Sequence, residues 1–475
     1  YRGYTQMDNS KTFKTPSFGY SAFVLIALAA STFSGMKLFG ASLNVVMFLN
    51  WLLMTALAAP LGISYNHLEK KAAENLSGIL TTLFIIFAIG GLTGTWMASG
   101  TVPAIIYHGM NIMSAKFFLP TSLLLCSVVS VATGTSWGTL GTMGVALIGI
   151  GAGLGIPAGM TAGAAICGAW FGDKISPLSD TTNFTAAIVG APLSTHIKHM
   201  MYTTGPSYAV TLALFSVLGL RISQSSVLDA SLIQATQEGI ASTFKLGLPV
   251  LFPIIVVLVL LLMRKNPTMA LLAGSLTGIL VAIFYQGSPS AAAFNCLYNG
   301  FNREFDNAFL TSLLNRGGIT SMLSTSMTII FCVGIGGMMK EMGVIHVIVK
   351  QLAKLIRSTG SLILISEIIG YISQMLSGSH YFADVMLQST MLDIYKEKRL
   401  KPENLSRLME DCNTIGGTMI PWSSTALYIV GTIGVSFTEY LPYIFLCYLT
   451  PLMGLICGFT GWGIAHYKDD EIIPE

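Results

Sequence analysis

Charge is what this sequence has least of. Asp, Glu, Lys and Arg together make up 10% of its 475 residues, while hydrophobic residues reach 53%; an average soluble domain carries roughly 25% charged residues. That imbalance excludes a soluble globular domain and reads as an all-α polytopic membrane protein with the lipid bilayer as its partner. The formal net charge of +3 is too small to imply nucleic acid, so the placement of charge carries the information and its total does not. The seven cysteines (Cys126, Cys167, Cys296, Cys332, Cys412, Cys447 and Cys457) lie scattered in apolar stretches without C-x-x-C spacing. They read as small hydrophobes, not as a metal or disulfide set. A P-loop, metal-spaced histidines and a Ser-His-Asp set are also missing, so neither an enzyme nor a cofactor is expected.

Apolar runs long enough to cross a membrane lie near residues 18–36, 41–64, 79–98, 199–220, 243–263, 267–285, 319–338 and 440–464. The first resembles a signal-peptide core, but a second span follows almost at once, so it reads as a retained helix. Residues 223–242 form the longest polar break and divide a first repeat (1–222) from a second (243–475). Residues 340–357 form a basic amphipathic segment expected along the membrane surface.

One polar stretch stands where a membrane helix should be continuous: GDKISPLSDTTN, residues 172–183. A charge at bilayer depth costs roughly 2.5 to 3.5 kcal/mol by insertion measurements, so Asp173, Lys174 and Asp180 need a function or a very good partner. An ion site is the reading that follows; a polar loop outside the bilayer is the alternative. The apolar segment after it is too short to span alone, which favours one helix broken at Pro177.

The two halves resemble each other. Ile85-Ile86-Phe87 recurs as Ile329-Ile330-Phe331, Gly134 as Gly378, Pro177 as Pro421, Ser179 as Ser423 and Gly190 as Gly434, each pair 244 positions apart. A gap-free register of this length points to an internal repeat. Each half then holds two irregular sites. TGTSWGT (133–139) and LSGSHYF (376–382) are Gly/Ser turns between moderately apolar arms, suited to re-entrant hairpins or to two full helices joined by an exposed loop. GDKISPLSDTT and GGTMIPWSSTA (416–426) are the breaks, whose freed carbonyls and half-helix N-termini suit a cation.

With the N-terminus inside, hairpins that do not cross and each broken helix counted once, the chain makes ten crossings. Lys70, Arg264 and Lys398 then fall with most other basic residues on the cytoplasmic side, and Arg221 and Arg303 outside. Both termini are expected to be cytoplasmic, in the cell membrane. An odd number of crossings per half requires the repeats to be inverted, the usual skeleton of alternating access.

GTSWGT followed by GDKISPLSDTT, with SGSHY and PWSST in the second half, resembles the NhaC-type sodium/proton antiporter family of the ion transporter superfamily. The likeness covers nearly the whole chain and is most specific at GDKISPLSDTT. It implies two inverted repeats of about five transmembrane helices, each with a re-entrant hairpin and a broken helix, and Na⁺ bound at hairpin tip plus break. Some members exchange Na⁺ and H⁺ together with organic acids such as malate and lactate. The second break departs from the first: Asp173 and Asp180 become Gly417 and Ser424, which puts a symmetric two-sodium arrangement in doubt.

The chemistry assigns Na⁺ to Asp173 and Asp180, because a buried carboxylate that loses its cation becomes easier to protonate. Thr135, Ser136, Ser176, Ser179 and Thr181 are candidate oxygen ligands, although hydroxyls also bond their own helix. Ser377, Ser379, Asp384, Asp411, Asn413, Ser423 and Ser424 are the second-repeat candidates. Lys174 is either a neutralising partner for the two aspartates or half of a fixed ion pair. Glu367 joins a proton path or pairs with a basic group, and His380 is either structural or a pH sensor. His196 and His199 are expected to face water, and no arginine is expected inside the site. Sodium/proton antiport is the leading function; sodium-coupled exchange of small organic acids and a channel are the alternatives, and a homodimer is compatible with any of them.

Overall fold

The computed structural model describes residues 13–77, 80–225, 230–263, 265–305, 308–468 and 471. Arg264 lies outside the described residues. Regular structure among the rest is helical, apart from one isolated bridge between Leu400 and His466. The first half runs α1 (Phe18–Lys37), α2 (Leu43–Ala58), α3 (Tyr65–Ser77), α4 (Leu80–Ala98), α5 (Thr101–Ile112), α6 (Ala115–Thr133), α7 (Ser136–Thr139), α8 (Val145–Gly153), α9 (Ala158–Ile175), α10 (Asp180–Val189) and α11 (Leu193–Ser225). Next come α12 (Ala230–Thr243), α13 (Phe252–Leu262), α14 (Pro267–Val281), α15 (Ser290–Asn299), α16 (Ala308–Leu314), α17 (Leu323–Glu341) and α18 (Val344–Ala353). The chain ends with α19 (Thr359–Ser377), α20 (His380–Glu397), α21 (Glu403–Met409), α22 (Ser424–Ile433), α23 (Phe437–Tyr440) and α24 (Phe445–Thr460). Most of the polar break between the halves is thus helix α12, which buries Ile240 and Thr236.

By length and composition seven helices can cross a membrane, or ten if three sharply bent pairs each count as one span. The total matches the expectation but its members do not. The hairpin arms α6 and α19 qualify, each with 19 residues, or about 28 Å at 1.5 Å per residue. They are longer than a hairpin stopping at the midplane requires. The broken helices, by contrast, are not among the qualifying spans. The bend after α4, which turns 69° into α5, was not legible as a run of its own; Gly100 at φ 76° supplies the left-handed residue. Within the basic segment, α18 is amphipathic, burying Val344, Ile345, Ile348 and Val349 inside the protein along one stripe with Lys350 exposed.

Positions matched across the halves share local geometry. Gly134 and Gly378 end the first hairpin arms in the left-handed region, at φ 69° and 67°. Ser179 and Ser423 cap α10 and α22, and Gly190 and Gly434 end those helices at φ 75° and 68°. Ser130 Oγ donates to the Ala169 carbonyl at 2.6 Å, and Gln374 Nε2 donates to the Asn413 carbonyl at 2.8 Å. The aromatic contacts are reciprocal: Trp137 of the first hairpin stacks on Tyr428 at 3.9 Å between centroids, and Tyr381 of the second meets Phe184 edge-on at 5.1 Å. Trp137 and Tyr381 are counterparts, as are Phe184 and Tyr428.

Candidate functional site

Helix α9 is built from small residues, and that lets it lie hard against α6. A β-carbon at Gly172 would sit 2.5 Å from Ser130 Cβ and 2.7 Å from the Val131 amide, so only glycine allows the approach. The close contact brings Asp173, the next residue, up to the hairpin tip. Pro177 then ends the helix line, since it has no N–H to continue it. Side chains occupy the groups freed by the break. Ser176 Oγ donates to the Val131 carbonyl at 2.8 Å and accepts from Leu178 N at 3.2 Å. Thr182 Oγ1 lies 3.2 Å and 3.1 Å from the carbonyls of Asp173 and Lys174, and Asn183 Nδ2 donates to those of Pro177 and Ser179. These carbonyls are already satisfied from within the protein.

The two aspartates line one cavity of about 560 Å³ but sit in different surroundings. Asp173 is 2% exposed; its Oδ2 accepts from Ser136 Oγ at 2.7 Å, while Oδ1 is buried with no hydrogen-bond partner. Asp180 is exposed, and its Oδ2 accepts from the Tyr381 hydroxyl at 2.7 Å. Thr135, Ser136, Thr181 and His380 line the same cavity, together with Trp137, Trp170 and Tyr381. The cavity extends to Lys265 and Asn266 in the connection between α13 and α14. Both ring nitrogens of His380 are buried without a partner. The first hairpin tip, the first break, the second hairpin tip and the edge of the second break therefore surround one space.

Other candidates are committed elsewhere. Ser179 caps α10 by accepting from Thr182 N at 3.3 Å and lies 3.0 Å from Thr181 Oγ1. Ser377 and Ser379 close their own turn. Ser423 caps α22, accepting from Ala426 N at 3.0 Å, and Ser424 donates from both N and Oγ to the Gly378 carbonyl. The second break is thus stitched to the second hairpin. Asn413 donates to Asp384 at 2.8 Å. Lys174 does not neutralise Asp173 or Asp180; it forms a fully buried ion pair with Asp411, which also accepts from Thr203 at 3.1 Å. Glu367 lies apart from the cavity in the α19 arm, 5% exposed.

One expectation is corrected, and two further buried charges were missed. His196 and His199 are buried in α11 and do not face water: His196 Nδ1 meets Ser406 Oγ at 2.7 Å, and His199 Nε2 meets Arg407 at 3.3 Å. Arg407 is 1% exposed and donates to the Gly463 carbonyl at 2.6 Å. Glu410, which carried no sequence signal beyond its neighbour Asp411, is fully buried and accepts from Thr185 at 3.2 Å. Their polarity hid them, because a window average over residues 396–411 reads as a solvated linker. Tyr381 and Trp170 were also missed, although Tyr381 stands beside His380 in the hairpin motif.

The model of the Na⁺/H⁺ antiporter family matches residues 168–462. Full-length relatives agree with it. Over 433 residues the chain is 36% identical to the malate-2H(+)/Na(+)-lactate antiporter of Bacillus subtilis, covering 91% of this chain and 92% of that one. It is 35% identical over 455 residues to the Na(+)/H(+) antiporter NhaC of Alkalihalophilus pseudofirmus, covering 95% and 97%. With the arginine/ornithine antiporter ArcD of Halobacterium salinarum the identity is 33% over 478 residues, covering 100% and 97%.

Proposed function

The chain belongs to the Na⁺/H⁺ antiporter family, and from that premise we propose that it exchanges Na⁺ for H⁺ across the cytoplasmic membrane by alternating access. It is a multi-pass membrane transporter and not an enzyme. The observation that carries the exchange is Asp173: one carboxylate oxygen is held by Ser136 at 2.7 Å and the other is buried without a partner. A lone ionised carboxylate out of water is costly, so the free oxygen calls for a cation or a proton. The two then exclude each other at one group, which is sufficient for antiport. Asp180, Thr135 and Thr181 line the same cavity and supply further oxygens.

Reciprocal contacts between counterparts in the two halves support an inverted pair of repeats, the arrangement that alternating access uses. The excess of Lys and Arg on one face supports cytoplasmic termini. In that orientation Lys265 is cytoplasmic, so a cavity reaching Lys265 corresponds to the inward-facing state.

A second reading is coupled exchange of a small organic acid such as malate or lactate. A cavity of about 560 Å³ exceeds what a bare cation fills, and His380, with two unpartnered ring nitrogens, together with Lys265, offers an anion somewhere to bind. Proteoliposomes free of organic acid decide between them: a Na⁺ gradient should move protons, followed with an internal pH dye. Silence until malate or lactate is added would sink simple exchange and promote the coupled reading.

A further inference from the structure

Beyond the cavity, a second pair of carboxylates is buried in one region. Glu367 on α19 and Asp411 on the π-helical turn Glu410–Thr414 approach one point on α24: a β-carbon built on Gly454 would lie 2.8 Å from Glu367 Oε1 and 3.8 Å from Asp411 Oδ2. Both oxygens are buried without a hydrogen-bond partner, and the residues are 5% and 1% exposed. The other oxygen of Asp411 is taken by Lys174 and Thr203. Among the described residues Glu367 forms no ion pair.

The groups that face Glu367 are Asp411 and Cys412 of the π-helical turn, Arg407 of α21, Tyr395 of α20 and Tyr371 one turn along α19. Of these only Arg407 is cationic, and it is spent on the Gly463 carbonyl at 2.6 Å and on His199. An ionised Glu367 here would be a second buried anion facing Asp411. A protonated one would remove that second charge. Two carboxylate oxygens are too few for Na⁺, which leaves the proton as the ligand.

The fold does not require this arrangement. In the first half the counterparts of Glu367 and Asp411, 244 earlier, are Leu123 and Cys167, apolar where the second half has two acids. The second half also places its pair where it can sense the cation site. Lys174, bound to Asp411, is the next residue after Asp173 in the last turn of α9. Lys174 and Asp411 thus offer a route by which a change at Asp173 would reach Glu367, and π-helical turns such as the one holding Asp411 recur at functional sites.

We infer that Glu367 is a second proton carrier, separate from the cation-binding carboxylate, and that it adds one proton to each exchange cycle. The coupling rests on the Na⁺ reading of Asp173; the proton on Glu367 does not. One proton exchanged for Na⁺ at Asp173 and one more on Glu367 make the cycle electrogenic.

The test uses the full-length protein in liposomes with a K⁺/valinomycin voltage clamp. Wild-type Na⁺-driven proton flux should reverse at the voltage expected for two protons per Na⁺, and Glu367→Gln should lose its voltage dependence while still exchanging. Electroneutral wild-type exchange, or a Glu367→Gln protein that keeps the wild-type reversal voltage, would overturn the inference. If Glu367→Gln is folded but silent, infrared spectra decide: loss of one protonated-carboxyl carbonyl band supports the assignment, and an unchanged spectrum overturns it. Glu367→Asp should restore part of the voltage dependence. A wild-type protein that moves no protons with Na⁺ would instead sink the Na⁺ reading of Asp173, and the infrared comparison would still judge Glu367.

Discussion

Trp170 donates its indole N–H at 3.2 Å to the carbonyl of Thr414, the residue 244 positions further along the chain. A residue and its counterpart in sequence can touch in this way where the two halves meet, beside the axis that would relate them. The reciprocal aromatic pairs Trp137–Tyr428 and Tyr381–Phe184 lie beside that contact. The cavity, lined by Trp170 and Thr414, is therefore at the junction of the halves.

Asp173 and Asp180 should not be equivalent. Asp173 is buried on Ser136 while Asp180 is exposed on Tyr381, and solvent screens an exposed charge strongly. Asp173→Asn is expected to abolish Na⁺-driven proton flux with protein still in the membrane. Asp180→Asn should leave measurable flux with a raised KM for Na⁺. Equal losses at both positions would count against a single primary carboxylate.

Removing a dipole should cost less than removing the charge. Ser136→Ala deletes one hydrogen bond to a carboxylate, worth about 1.5 to 3 kcal/mol, so the KM for Na⁺ should rise on the order of tenfold or more with maximal flux retained. Ser424→Ala, whose hydroxyl is spent on the Gly378 carbonyl at 3.0 Å, should leave KM unchanged. A KM shift at Ser424 as large as at Ser136 would mean that the second break also holds the cation.

The buried pair Lys174–Asp411 gives a stability test. Breaking such a pair from one side strands a charge and costs about 3–5 kcal/mol, whereas replacing both partners by apolar residues of similar size is often neutral. Lys174→Met and Asp411→Leu should each lower the melting temperature in detergent, and the double variant should recover most of the loss. Additive losses would show that the two side chains do not depend on each other.

Much of this was legible because it rests on backbone chemistry. Gly134, Pro177, Ser179 and Gly190, with the residues 244 further on, mark turns, breaks and caps that few other residues can form, so these irregular sites could be read from type and spacing alone. The buried charges were not legible. Arg407, Glu410 and His199 sit in a polar stretch or a loop-like sequence, and only packing against α11 and α24 removes them from water. Partner choice was equally hidden: Lys174 is adjacent to Asp173 in sequence, yet a helix turns consecutive side chains about 100° apart, which points Lys174 at Asp411 in the other half.

The last prediction concerns pH. If Na⁺ and a proton compete for Asp173, acid should act on the apparent affinity for Na⁺ and not on the maximal rate, because enough Na⁺ displaces the proton. Where the proton dominates, each unit of rising pH should lower the KM for Na⁺ by about tenfold, a one-for-one exchange of ligands on a single carboxylate. The dependence should flatten once the proton no longer holds the site. Ser136→Ala removes the hydroxyl that stabilises the ionised form, so its curve should be displaced to higher pH with the slope kept. Flux measured against Na⁺ at several pH values separates the cases. A maximal rate that falls with acid at constant KM would place the inhibiting proton somewhere other than the cation site, and the competition at Asp173 would have to be abandoned.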